Sequence, residues 1–463
     1  MKIFGFEIKR PSEEKEPLSF TAPTDDDGAV VVAAGGVYGT YVDLEGSAKT
    51  EAELVTKYRD MLTHPEVELA VDDIINEAII QEPEQPIVKI NLDHLLHTKE
   101  NVKTILSQEF DEILELLNFN NQAYEIFKRF YVDGRLYYHA VIDDTDIKSG
   151  IKELRYVDAR KIRKIKEVQK KRDKVTGASL SKTVNEYYLY SEKGYWNAGN
   201  GNPSSQGAAT GGLKIAKDSI VHVTSGLMDT NNTVVLSYLH KAIKVLNQLR
   251  TLEDATVIYR ISRAPERRIF YIDVGNLPKM KAEQYLRDMM LRHKNRTVYD
   301  ATTGEVRDDR KFMTMLEDYW LPRREGNRGT EITTLPGGQN LGELTDVQYF
   351  QKKLYRALHV PESRMQVETS YNIGRSTEIQ RDEVKFTKFI NRLRDKFSQL
   401  FLKSMEKQMA LKGLMNADEF KEISQDIKFD FAIDNYFSEL KNIDITRERV
   451  SVLRDLDDYA GRY

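Results

Sequence analysis

A chain of 463 residues is long enough for roughly two to four domains of ~100–200 residues each. Hydrophobic residues make up 40% and charged residues 31%, the balance of a chain with a real core and a well-charged surface. The lack of any Cys excludes disulfides, thiolate nucleophiles and Cys-ligated zinc. A net charge of −4 excludes a general attraction to nucleic acid, so any such contact must be local.

Met1 to Arg10 has no apolar centre of the signal-peptide kind, and no apolar run approaches the ~18 residues of a membrane span. Residues 1–48 read as a partly flexible arm, with polar turns at Ser12–Pro17 and Thr24–Gly28. The glycines of Ala33–Gly39 lack the Gly-Lys-Ser/Thr of a phosphate loop. Helices are expected over Glu53–Leu62, Pro65–Ile80, Thr98–Leu117 and Asn120–Val132, with Pro65 at a helix start and Thr98 as a cap. A strand at Ile87–Leu92 lies among them. Leu136–Ile142 and Ile151–Val157 read as a hairpin, and the acids of Asp143–Asp146 as turn formers rather than metal ligands. The Lys/Arg run from Lys161 to Lys174 reads as a solvated hairpin edge. Further strands are expected at Glu186–Tyr190 and Ile220–Val223, either side of the Gly/Asn/Ser-rich stretch Asn197–Gly212. His222, alone among apolar neighbours, reads as structural.

The segment Val234–Val360 organises the rest. A long apolar periodicity predicts one helix over Val234–Ile261, roughly 40 Å long. An α/β insertion follows, with strands at Ile269–Val274, Thr297–Asp300, Phe312–Met313 and Glu331–Thr334 and a helix over Pro278–His293. A second helix spans Asp346–Leu358. Beyond a polar passage, Thr377–Leu411 is expected to be one long helix stopped at Gly413. Its apolar side is Phe386, Phe389, Ile390, Leu393, Phe397, Leu400, Phe401 and Met405. Ile427–Phe431 reads as a strand and Tyr436–Tyr459 as helical.

No phosphate loop, zinc-protease, nucleophile-elbow or dinucleotide signature is present. Adjacent acids such as Asp143/Asp144, Asp308/Asp309 and Asp457/Asp458 point different ways and make no two-metal pair by themselves. No catalytic residue, metal or cofactor is therefore expected. Long helices around an inserted small domain fit an assembly protein whose neighbours are copies of itself.

Four runs carry a resemblance: Arg263–Pro278, Asp318–Arg324, Thr334–Gly338 and Leu358–Pro361. In this order they resemble signatures of the portal vertex proteins of T-even-type myophages, and the likeness extends from about Glu51 onward. The resemblance implies a mainly α fold with α+β parts, assembling as a ring of twelve copies around a DNA channel at one capsid vertex. It implies a wing at 49–233, a first stem helix at 234–262, a clip at 263–342 and a second stem helix at 343–360. A tunnel loop at 361–376, a long wing/channel helix at 377–415 and a crown at 416–463 would follow. The crown would be incomplete or unusually small, because family members continue past the equivalent of Tyr463.

Implied partners are further copies of the chain, double-stranded DNA without sequence specificity, major capsid and scaffold proteins, the terminase large subunit and neck or head-completion proteins. The implied location is the virion, with assembly in the host cytoplasm, at the inner membrane surface through partners. ATP hydrolysis would belong to a separate motor subunit. Candidate DNA contacts are Lys241, Lys244, Arg250 and Arg375, through phosphates only. Arg263, Arg267 and Arg268 are candidates for the stem–clip junction or contacts between subunits, and Tyr319, Trp320, Arg323 and Arg324, with Leu321, for the clip core or a docking surface. The alternatives are a non-portal ring or connector adaptor, which needs no DNA-lining surface, and a metal-dependent nuclease, which needs converging carboxylates.

Overall fold

The computed structural model describes residues 2–3, 6–7, 28–33, 44–81, 85–95, 99–172, 179–192, 212–229, 234–263, 267–293, 298–299, 306–307, 319–323, 331–335, 344–365, 376–432, 443 and 445–454. The chain divides into two compact units, Lys244–Leu354 being inserted into a larger unit made of Met1–Ile243 and Tyr355–Tyr463.

The larger unit opens with a short ladder, β1 (Lys2–Ile3) and β2 (Phe6–Glu7), then β3 (Val30–Ala33), α1 (Leu44–Met61) and α2 (Pro65–Ala78). β4 (Val88–Asn91), α3 (Glu100–Leu116) and α4 (Phe119–Asp133) follow. Pro65 occupies the first turn of α2, where its missing N–H costs nothing. Val67, Ala70, Val71, Ile74, Ile75 and Ala78 form its buried face. α3 starts at Glu100, and Thr98 lies outside the described residues. Gly134 ends α4 in the left-handed region (φ +69°), where a Cβ would sit 2.7 Å from the Leu236 carbonyl oxygen.

Next come β5 (Arg135–Ile142), β6 (Ile151–Val157), β7 (Ile162–Arg172), β8 (Ser179–Tyr190), β9 (Leu213–Ala216) and β10 (Ile220–Thr224). One antiparallel sheet runs β10-β5-β6. At the tip of its hairpin Asp143 Oδ1 accepts from the Thr145 N–H (2.9 Å) and hydroxyl (2.6 Å), which makes this acid a turn former. His222 on β10 is buried, stacked on Tyr137 with ring centres 4.3 Å apart and edge-on to Tyr188 at 5.9 Å. This is the structural role expected of it.

The second sheet runs β3-β7-β8-β9, with β3 parallel to β7. Here the reading of the basic run as a solvated edge is corrected. β7 is an interior strand; Arg163, Lys164 and Lys166 are buried, and both lysines pair with Glu186 on β8 at 3.5 and 3.7 Å. The partner strand that covers the edge comes from residues 30–33, far away in sequence, so no local pattern announces it.

The inserted unit contains α5 (Ile243–Arg263), β11 (Arg267–Asp273), α6 (Lys279–His293), β12 (Val298–Tyr299), β13 (Val306–Arg307), β14 (Tyr319–Arg323), β15 (Glu331–Leu335) and most of α7 (Thr345–Ala357). The chain then returns to the larger unit through α8 (Glu362–Met365), α9 (Ser376–Phe397), α10 (Gln399–Lys412), α11 (Ala417–Ser424) and β16 (Lys428–Phe431). The single long helix expected from 377 is broken at Ser398 into α9 and α10, and α10 ends at Gly413 with φ +66°. All eight apolar residues expected on its inner side are buried. Phe401 meets Phe110, Phe119, Phe397 and Phe429 at ring distances of 5.5, 5.2, 5.6 and 5.4 Å.

β16 pairs antiparallel with β4, and the Arg394 guanidinium donates to the carbonyls of Glu77, Ala78 and Ala432. The boundary expected at 416 therefore falls inside the larger unit, whose packing runs on through Ala432. Of the helix expected over 436–459, residues 445–454 are helical; 433–442 and 455–463 lie outside the described residues.

Candidate functional site

The predicted start of the first long helix moves nine residues, from Val234 to Ile243. Val235 instead forms a β-bridge with Met228, and the Leu236 N–H donates to the Leu227 carbonyl. Ser237 Oγ donates to the Tyr131 carbonyl and accepts from the Leu239 N–H. These bonds hold Val234–Ser237 in a non-helical, largely buried path that turns at Tyr238–Leu239. A 3₁₀ turn at His240–Ala242 then leads into α5, and the Tyr58 hydroxyl bonds His240 Nδ1 at 2.8 Å.

Along α5, Val245, Leu246 and Leu249 are buried, but Val257, Ile258 and Tyr259 are 38, 50 and 43% exposed. Three successive helical positions span roughly 200° of the circumference. Val257–Tyr259 thus presents apolar side chains around more than half the girth of α5 at this turn, a pattern that calls for further neighbours.

Within the insertion, β11, α6 and β14 form a parallel crossover, and β15 adds antiparallel to β11, giving the order β14-β11-β15. Pro322 sits on the outer strand, where a missing N–H costs no ladder bond. Ile272 and Val274 pack on Ala282 and Leu286 of α6, with Phe270 and Met289 closing the core. The expected strand at Phe312–Met313 lies outside the described residues.

The candidate basic residues do not converge. Lys241, Lys244 and Arg250 are all exposed, but six residues separate the last two, placing them about 120° apart on opposite flanks of the buried stripe. Arg263 closes α5. Arg267 and Arg268 open β11 opposite Leu335 and Thr334. Tyr319 and Trp320 begin β14 opposite Ile269 and Phe270, and Arg323 ends it opposite Asp273. Leu321, between them, is 43% exposed. Arg324 and Arg375, with residues 366–375 of the expected tunnel loop, lie outside the described residues.

A basic surface that the sequence reading missed lies on α9. Lys388, Arg392 and Lys396 are exposed at i, i+4 and i+8, which puts them on one stripe. Lys241 and Arg392 both act on His359. His359, in the left-handed region at φ +64°, has its pKa lowered by burial first, then by Lys241 and Arg392, so this imidazole favours its neutral form. Its ring lies 4.8 Å from that of Phe389. The i, i+4, i+8 spacing was readable; that Lys241 and Arg392 both act on His359 was not.

Several other charges of this unit pair with one another. Arg59 pairs with Asp133 (2.6 Å) and Asp158 (3.1 Å), and Arg135 with Glu51 (3.2 Å). Arg364 gathers Asp73, Glu77 and Glu383 at 3.3, 3.1 and 2.7 Å and lies over the Phe386 ring. Burial raises the Asp133 and Asp73 carboxyls despite their arginines, whereas arginine hydrogen bonds take Asp158 well below the usual range. Among the described residues no group of three or more His, Asp or Glu is arranged to hold a metal ion, and no helix is long and apolar enough to cross a membrane.

Known proteins are similar to this chain over nearly its whole length. The portal protein of Vibrio phage KVP40 is 39% identical over 468 residues, covering 97% of this chain and 89% of the relative. That of Salmonella phage ViI is also 39% identical, over 440 residues, covering 94% and 79%. Among solved structures, the neck of a native GTA particle computed with C12 symmetry aligns with a TM-score of 0.47 at 13% identity, over 88% of this chain and 90% of that one. Residues 51–463 match the family described as bacteriophage T4-like portal protein (Gp20); the chain belongs to that family.

Proposed function

We propose that twelve copies of this chain close a ring at the unique capsid vertex, and that double-stranded DNA passes through its centre during packaging and ejection. The observation that carries the ring is α5, whose Val257, Ile258 and Tyr259 are exposed on three successive sides. In a ring these side chains are buried by the next copies, at about 25 cal/mol per Å² of apolar surface covered. α5 and α7 form the channel stem, the insertion 263–342 the clip, and residues 361–376 the tunnel loop. Residues 49–233 with α9 and α10 form the wing, and any crown starts beyond Ala432.

The chain's part is structural, with ATP hydrolysis by a separate motor. The clip end receives the terminase large subunit and later the neck proteins, while major capsid and scaffold proteins meet the wing as the ring initiates head assembly. Contact with the host inner membrane during assembly runs through partners. DNA is held weakly through its phosphates, so that it can slide. Lys241 and the Lys388–Arg392–Lys396 stripe are the first basic groups to test, ahead of Lys244, Arg250 and Arg375.

Imaging of purified full-length protein, with native mass measurement of the particles, tests the ring. Twelve-membered rings with a through-channel are expected; a monomer under all assembly conditions overturns the reading. Reversal of the stripe (K388E, R392E and K396E together) should leave rings intact and weaken their salt-dependent DNA retention. Unchanged retention in intact rings removes the stripe from the channel. Deleting residues 367–376 should spare ring assembly and impair DNA filling or retention; normal filling ends the tunnel-loop role.

A further inference from the structure

The inserted unit carries two unlike surfaces on opposite sides of one small fold. Residues paired directly across a sheet share a face, so Leu321, Tyr271 and Glu331 form one row across β14, β11 and β15. α6 covers the other face, through Ile272 packed on Ala282 and Leu286. The row is open at both ends: Leu321 is 43% exposed, Glu331 is exposed and Tyr271 between them is half-buried. On α6, Met280 lies two residues from the inward Ala282, about 200° around the helix, and so points away from the sheet. It is 77% exposed, with exposed Lys279 and Lys281 on either side.

The two surfaces complement each other. One offers an apolar projection flanked by two ammonium groups; the other offers leucine and tyrosine ending in a carboxylate. A two-fold contact needs a single self-complementary patch, whereas a closed ring with head-to-tail contacts needs two different matching ones on opposite sides. We infer that Met280, with Lys279 and Lys281, of one copy seats on the Leu321–Tyr271–Glu331 row of the next copy. The occupant of the open sheet face is thus a second copy of this chain. The inference rests on the ring reading above.

The absence of native Cys makes the test clean. In the full chain, Met280→Cys with Leu321→Cys, treated with a short bismaleimide, should give a ladder of linked subunits up to the whole ring. Each single variant should give none. Glu331→Lys should cut the linking yield several-fold, and adding Lys281→Glu should restore it. In the Leu321→Cys variant alone, assembly should slow labelling by a monofunctional maleimide at least several-fold relative to the dissociated chain. Imaged rings whose double variant does not link, and in which the thiol of Leu321→Cys labels as fast as in the dissociated chain, overturn this contact and leave the ring standing. Linked dimers from a single variant overturn it in favour of a two-fold contact. Failure to form rings under any condition overturns both.

Discussion

Arg59→Met isolates an ion pair of the larger unit whose acid is almost completely buried. The Arg59 guanidinium donates to both carboxylate oxygens of Asp133, at 2.9 and 2.6 Å, and reaches Asp158 at 3.1 Å, so it joins α1 to the end of α4 and to the turn after β6. Asp133 is 1% exposed, and removing its partner strands a carboxylate away from water. Breaking a fully buried pair costs about 3–5 kcal/mol. Because the Arg59 side chain is 29% exposed, solvent screens part of this, and about 2–3 kcal/mol is the expected loss.

For a unit of this size that is a fall in melting temperature of about 3–4 °C, read by thermal denaturation of unassembled protein. Burial already raises the Asp133 carboxyl, and losing Arg59 raises it further. A carboxylate with a raised folded pKa binds its proton more tightly in the native state, so stability returns as pH falls through that pKa. The gap to wild type should therefore narrow on going from about pH 8 to about pH 5. Arg59→Met with Asp133→Asn should be less destabilised than Arg59→Met alone at the higher pH. A single variant that melts within about 1 °C of wild type, or a gap that widens on acidification, refutes the reasoning.

Two further outcomes follow from neighbouring features. Arg364→Met leaves Asp73, Glu77 and Glu383 without their shared cation, but these side chains are 28, 35 and 32% exposed. The loss should be only about 1–2 kcal/mol and should shrink with added salt, which screens half-exposed carboxylates far better than it reaches Asp133. Melting scans at low and high ionic strength check this. Gly134→Ala should cost more than Gly413→Ala, by about 1–3 kcal/mol. Both glycines have positive φ, but a Cβ at 134 meets the Leu236 backbone at 2.7 Å while one at 413 meets nothing within 4 Å. Equal melting temperatures for the two variants would show that the close approach at 134 is easily relaxed.

Elements held by local rules were legible. The 3.6-residue periodicity from Phe386 to Met405 named a set of side chains that are all buried, and Pro65 and Gly413 marked helix ends through their fixed or permissive φ. The misreadings share one cause, which is partners distant in sequence. Lys164 and Lys166 look solvated until β3 turns their strand into an interior one. Val234–Ser237 looks helical until Met228 and Tyr131 supply partners outside a helix. The break at Ser398 has no proline or glycine to announce it. At the candidate site, composition named basic residues singly, and only the fold brings both Lys241 and Arg392 to bear on His359.

The β4–β16 pairing has a consequence for the order in which the molecule is made. One strand is synthesised among the first hundred residues and the other only near residue 430. The inserted unit is continuous in sequence, whereas the larger unit is assembled from two separate stretches. The larger unit must wait, holding open the site where Phe429 meets Phe110 and Phe401. Pairing over such a sequence distance is slow and comes last. A nascent chain can therefore complete the core around Phe401 only after residue 430 has been made.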